Sequence, residues 1–367
     1  MSRPTTARAM VLEEPRRLVE HTFAIPDIDD DSGLLRVEAC GLCGTDHELY
    51  TGHLPTPGPV VPGHETIGVI EEVGSAAAER WGVQVGDRVA LECFQSCREC
   101  DACLAGMYRR CAKHGTPTLY GLTSTSVDPP LRGGYADYHY LAPDSMLLPV
   151  PHSLGPVDAT LFNPIGAGIR WGADLPETGP GDRVAVLGPG IRGLAAVAAA
   201  KEAGAEFVMV TGFGERDHPR LEMALGFGAD LTVDVAVDDP VAAMRAATDG
   251  NGASVVVDVT ANAPAALGQA VRLSDKGGRI VLAGVRNSKE TPGFNPDAIV
   301  FKELTIIGAL GVDAPVYRRA LDLLASDKYP FREVPRRVEP IAGAAELVAT
   351  MAGETDQVPP VHGVLVP

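Results

Sequence analysis

Seven cysteines stand at positions 40, 43, 93, 97, 100, 103 and 111, and none follows. Four of them make the run Cys97-x-x-Cys100-x-x-Cys103-x(7)-Cys111. Four thiolates in one short segment are the ligand set of a tetrahedral metal ion, and with all four positions taken by protein no place is left for substrate. The run therefore reads as a structural zinc site. An iron–sulfur cluster takes similar ligands, but its usual run continues Cys-Pro, and here Ala112 follows Cys111. Cys93 reads as a small packing residue beside the run. A disulfide scaffold would spread its cysteines along a short secreted chain, which this clustering does not resemble. A second set lies upstream, in Cys40-Gly41-Leu42-Cys43-Gly44-Thr45-Asp46 and Pro62-Gly63-His64-Glu65. One Cys, one His and a carboxylate from separate segments make a three-ligand site with an open position, the arrangement used for metal-assisted chemistry.

A third feature concerns phosphate. Gly188, Gly190 and Gly193 form G-x-G-x-x-G, with Ile191 and Arg192 between the last two. Glycines there permit a tight turn and close approach of a pyrophosphate, and the helix that follows offers unpaired N–H groups to the anion. The carboxylate that binds the ribose 2′-hydroxyl of NAD belongs about 20 residues on, at the end of the next strand. Gly212 stands there, followed by Phe213-Gly214-Glu215-Arg216. Without a carboxylate to repel it, a 2′-phosphate could pair with Arg216, His218 or Arg220. The cofactor is NAD or NADP, with a slight lean to NADP; Glu215 and Asp217 lie among those cations and oppose it.

These residues need a scaffold. Short strand candidates at 9–12, 33–39, 67–73 and 88–91 are separated by Pro, Gly and Asp turns, so the first part is β-rich. After about residue 156 strands alternate with helices: strands at 183–187, 207–211, 231–234, 254–259, 279–284 and 304–308, helices at 194–203, 220–227, 240–248 and 263–273. That alternation implies an α/β fold with a doubly wound parallel sheet covered on both faces. Helices at 317–325 and 342–351 and a strand at 361–366 close the chain.

Composition excludes other classes. Lys plus Arg is 31 against 48 Asp plus Glu, a net charge of −17. Such a chain repels a phosphate backbone unless it carries a basic patch, and its densest basic spots, Arg109-Arg110 and Arg336-Arg337, are pairs. A zinc-ribbon nucleic-acid module is therefore set aside. With 45% hydrophobic and 22% charged residues the chain is globular in composition. No run of about 18 apolar residues suggests a membrane span, and no apolar leader is read at the start, so a cytoplasmic protein is expected.

Together, Cys43-Gly44-Thr45-Asp46, Gly63-His64-Glu65, the four-cysteine lobe and the glycine turn resemble the zinc-dependent medium-chain alcohol/polyol dehydrogenases over essentially the whole length. The resemblance implies a GroES-like β-rich catalytic domain at 1–156 and 302–367, carrying a structural zinc lobe at 93–111. A Rossmann nucleotide-binding domain would be inserted at 157–301. It implies two zinc ions per chain, one held by Cys43, His64 and Glu65, the other by Cys97, Cys100, Cys103 and Cys111. Thr45 would relay the alcohol proton. The substrate would be a small alcohol, polyol or sugar oxidised with NAD(P), and the assembly a dimer or tetramer. Two positions depart from the pattern. Asn163 stands before Pro164 where polyol dehydrogenases commonly have Glu, leaving the fourth zinc position to water or Glu65. Glu48, with His47 before it, stands where many members have His in the proton relay. A silent zinc-stabilised NAD(P)-binding protein and a double-bond reductase of the same superfamily are the alternatives.

Overall fold

The computed structural model describes residues 4–286 and 289–367. It divides into two units: Met1–Phe162 with Asp313–Ser326 and Arg332–Pro367, and Asn163–Val312 with Asp327–Phe331.

The first unit begins with an antiparallel hairpin of β1 (Thr6–Glu14) and β2 (Arg17–Ala24). Its main sheet has seven strands: β3 (Gly33–Leu42), β4 (Glu65–Val73), β5 (Arg88–Leu91), β6 (Tyr138–Leu141), β7 (Leu147–Pro149), β14 (Arg336–Pro340) and β15 (His362–Val366). Strand order is β14-β15-β3-β4-β5-β7, with β6 also on β3. Strand β3 changes partner along its length, meeting β6 at Gly33–Arg36 and β15 at Cys40–Leu42. Leu34, Leu35, Ile70, Val89, Leu91 and Leu141 from these strands share one core. Burying a side chain of this kind contributes about 1.5–3 kcal/mol.

The second unit is a six-stranded parallel sheet: β8 (Arg183–Leu187), β9 (Phe207–Gly212), β10 (Leu231–Asp234), β11 (Ala253–Asp258), β12 (Ser274–Leu282) and β13 (Thr305–Gly308), in the order β10-β9-β8-β11-β12-β13. The order reverses between β8 and β11, and ligands of open α/β sheets bind at the carboxyl ends of the strands at such a switch point. Val184, Ala185, Val186 and Leu187 are all fully buried, as a strand covered on both faces requires. The helix Ile191–Glu202 packs on the sheet through Leu194 to Ala200, every one buried. It begins three residues before the expected 194, because Gly193 is helical and obscures the start in sequence.

The units part later in the chain than the expected 156/157 and 301/302. Residues up to 162 stay with the first unit: Thr160 bonds His362 at 2.9 Å, and Asp158 pairs with Arg336. Thr305–Gly308 stays with the second, because β13 extends the parallel sheet from β12. A short apolar strand reads alike in either sheet, and only its pairing assigns it.

Candidate active site

Strand β3 delivers Cys43 to the start of the helix Gly44–Thr51, where it is the N-cap. Asp46 closes the cap by accepting the Cys43 N–H at 2.9 Å, and the Cys43 sulfur accepts the Thr45 N–H at 3.3 Å. The Thr45 hydroxyl lies 3.2 Å from the same sulfur. His64 and Glu65 arrive with β4. The antiparallel register pairs Gly41 with Glu65 and so carries the end of β3 to the start of β4. Gly41 leaves room for the Glu65 carboxylate, whose Oε2 would sit 2.5 Å from any Cβ there. In consequence one ligand atom each of Cys43, His64 and Glu65 lies within 4.8 Å of the others.

The electrostatics suit a cation. Burial alone pushes the His64 imidazole down, but the Cys43 sulfur, Asp46 and Glu65 outweigh it and raise it to about 10. Burial raises the carboxyl of Asp46 to about 6 against the pull of His64. His64 Nδ1 is buried with no hydrogen-bond partner. A thiolate, an imidazole and a carboxylate form a borderline-soft set that zinc accepts, and a dication replaces the proton that the anions otherwise hold on His64. Asp46, as the group that locks Cys43, was not assigned a role from sequence; its place three residues after an N-cap is the available signal.

The relay positions are now specific. His47 bonds Glu354 at 2.9 Å, and Arg16 binds the same carboxylate at 2.9 Å. Glu48 is buried and lies 3.4 Å from His53.

Cys97, Cys100, Cys103 and Cys111 also converge within 4.8 Å. Backbone N–H groups are aimed at the sulfurs: Cys100 N–H lies 3.4 Å from the Cys97 sulfur, and those of Ala112 and Cys103 lower the Cys100 thiol to about 6. The N–H groups favour thiolates, the form that binds zinc, at Cys100 and Cys111, while Cys97, against the N–H groups aimed at it, is pushed up to about 11 by the neighbouring Cys111 and Cys100 sulfurs. Cys93 stays out of the cluster and packs on the core of the first unit, as expected. Lobe residues also grip their surroundings. Tyr108 donates to Glu92 at 2.6 Å and accepts the Ala314 N–H at 2.5 Å; Arg109 pairs with Asp313 at 2.7 Å.

Glu92 is fully buried, and burial raises its carboxyl to about 7 from 4.5. The folded chain therefore holds a proton that the unfolded chain releases between pH 4.5 and 7. Stability from this group is lost as pH rises through that window, by at most about 3 kcal/mol. Glu92→Gln removes the dependence. Urea unfolding at pH 5 and pH 8 is expected to show the variant gaining on the parent at the higher pH; an unchanged gap would contradict it.

At the glycine turn Gly188 has φ +104°, and a Cβ on Gly193 would collide with the Gly188 carbonyl oxygen. Gly190 caps the helix Ile191–Glu202. Arg192 donates to the Asn163 side-chain oxygen at 3.2 Å. At the end of β9, a Cβ on Gly212 would lie 2.9 Å from that of Asp217. Asp217 accepts the Phe213 N–H at 2.9 Å and lies 3.6 Å from Arg220; Asp234 accepts the Gly214 N–H and binds His218, both at 2.8 Å. Arg216 is exposed on the intervening turn.

Residues 29–152 match the alcohol dehydrogenase GroES-like domain family, and residues 193–326 the zinc-binding dehydrogenase family. A Mycobacterium tuberculosis protein named a probable alcohol dehydrogenase is 61% identical over 368 residues, covering 100% of both chains. The sorbitol dehydrogenase of Bacillus subtilis is 33% identical, covering 88% of this chain and 87% of its own. A zinc-binding dehydrogenase from Sinorhizobium meliloti, solved with NADP bound, is 29% identical with a TM-score of 0.84, covering 99% of this chain and 100% of its own.

Proposed function

This chain belongs to the zinc-dependent medium-chain dehydrogenase family, and we propose that it oxidises an alcohol, polyol or sugar hydroxyl reversibly to the carbonyl with NAD(P). The observation that carries this is the convergence of Cys43, His64 and Glu65 at the β3–β4 register. Zinc held by these three supplies a Lewis acid that makes a substrate hydroxyl more acidic. The chain's own parts do the rest. Thr45, whose hydroxyl lies 3.2 Å from the Cys43 sulfur, relays the substrate's hydroxyl proton, accepting it as it passes its own on toward solvent. Asp46 keeps Cys43 in place through its N–H. The helix after Gly190 offers its N–H groups to the pyrophosphate and so orients the dinucleotide for hydride transfer. Cys97, Cys100, Cys103 and Cys111 hold a second zinc that closes their lobe.

The cofactor is NADP by preference. Gly212 brings no carboxylate to the end of β9, Asp217 and Asp234 are engaged with backbone N–H groups, and Arg216 is exposed beside them. Arg216→Ala is expected to raise KM for NADP about tenfold with KM for NAD nearly unchanged; equal changes for both would remove Arg216 from the site. The chain assembles as a homo-oligomer. Strand β13 ends the parallel sheet, and Val300, Phe301 and Leu310 near it are exposed, a combination that a second copy would cover. Sedimentation of the intact chain checks this.

The deciding experiment is a panel of alcohols, polyols and aldoses with NAD and NADP on zinc-quantified protein. Cofactor reduction with any of them supports the reading. A fully zinc-loaded chain that reduces neither cofactor across the panel is a silent binder instead.

A further inference from the structure

Asn163 and Arg192 are both unusual where they stand. Asn163 is buried, 7% exposed, on the helix Phe162–Ile169. Arg192 is the second residue of the helix Ile191–Glu202, directly after the Gly190 cap. A cation in a first helical turn opposes the helix dipole, so the dipole does not account for an arginine there. Its guanidinium reaches instead to the Asn163 oxygen at 3.2 Å. The backbones behind the pair are in close contact. A Cβ on Gly168 would overlap the Ala195 carbonyl carbon, and one on Gly172 would lie 2.8 Å from the Ala196 oxygen. The first turn of the helix Ile191–Glu202 is thereby tied to a neighbouring segment by one polar bond above and tight small-residue packing below. This junction follows β8, at the switch point of the sheet.

We propose that Asn163 and Arg192 are a positioning pair for the dinucleotide. The Asn163 oxygen fixes the Arg192 side chain, and the fixed arginine holds the first helical turn in the form that receives the pyrophosphate. Residue 163 thus serves cofactor binding and supplies no zinc ligand. The proposal rests on the reading that the glycine turn binds NAD(P). It explains why a residue that resemblance puts among zinc ligands is a neutral amide: its oxygen is engaged with an arginine that the phosphate-binding turn itself contributes.

The test is a double-mutant cycle on the zinc-loaded full chain, with Asn163→Ala, Arg192→Leu and the two combined, plus Arg192→Lys. Dissociation constants for NADPH and NADH come from nucleotide fluorescence, which requires no turnover. Zinc per chain and urea midpoints are measured alongside. Each single variant is expected to weaken nucleotide binding about tenfold, the double variant no more than the weaker single, and Arg192→Lys to recover part of the loss. Zinc content is expected to equal the parent's in all four. Multiplying effects in the double variant, or unchanged binding in the singles, overturns the pair. Loss of one zinc in Asn163→Ala overturns the assignment of residue 163. A parent that binds neither nucleotide overturns the underlying reading, and the pair with it.

Discussion

Replacing Cys43 by alanine is expected to lower kcat on the order of a thousandfold or more, because it removes one of the three proposed metal ligands and the sulfur charge beside His64. What makes the loss specific is the local fold. Asp46 caps the helix through the Cys43 backbone N–H, which alanine keeps. The contacts of the Thr45 N–H and hydroxyl with the sulfur, 3.3 and 3.2 Å long in the parent, are lost. Losing a cap contact of that kind costs about 1 kcal/mol, a fall in Tm of about 2–4 °C for a unit of this size. Zinc per chain should drop by one while the lobe keeps its own. Nucleotide binding should persist, because the glycine turn belongs to the other unit. Turnover close to the parent's, in this variant or after exhaustive chelation, would sink the catalytic metal site.

Replacing Cys97 by alanine is expected to act on stability. Structural zinc contributes about 10–16 kcal/mol to folding in isolated zinc-finger peptides. Part of that is not needed here, since Tyr108, Arg109 and Arg98 hold the lobe through Glu92, Asp313 and the Ser145 carbonyl. A loss of about 3 kcal/mol is a conservative expectation, equivalent to about 6–12 °C in Tm. The first contacts to fail should be those the lobe makes outward. Tyr108 would release both the buried Glu92 carboxyl and the Ala314 N–H, and each unsatisfied buried group costs about 1–3 kcal/mol. Thermal melts with and without chelator check this. The parent should fall toward the variant when zinc is stripped, and the variant should respond much less. A parent whose Tm ignores the chelator has no structural metal in this lobe.

The parts of the site legible in the sequence are those whose members are close along the chain. The four cysteines of the lobe span 97 to 111, and the glycine turn spans 188 to 193. In both, spacing carries the geometry, because a short loop has few ways to gather four sulfurs or to turn on three glycines. The alternation of strands and helices likewise announced the parallel sheet, since a strand buried on both faces must be apolar throughout. Cys43 and His64 lie 21 residues apart. Their residue types suggest a shared site and the resemblance agrees, but no spacing carries the geometry, and it is the pairing of Gly41 with Glu65 that brings them together.

Other features had no local signature. The β2 strand is mostly half-exposed, with no apolar run to mark it. Thr305–Gly308 could have completed either sheet, and hydrogen bonds to β12 decide it. Glu92 finds Tyr108 and then Ala314 across 16 and 206 residues, and Asn163 finds Arg192 across 29. By itself the sequence supplied the candidate ligands and the glycine turn through side-chain chemistry and spacing, the α/β class through periodicity, and the family through resemblance. Tertiary structure alone decided which acid is buried with its proton near neutral pH and what holds the Asn163 oxygen. Those depend on strand register and helix packing, which bring together groups that no spacing along the chain relates.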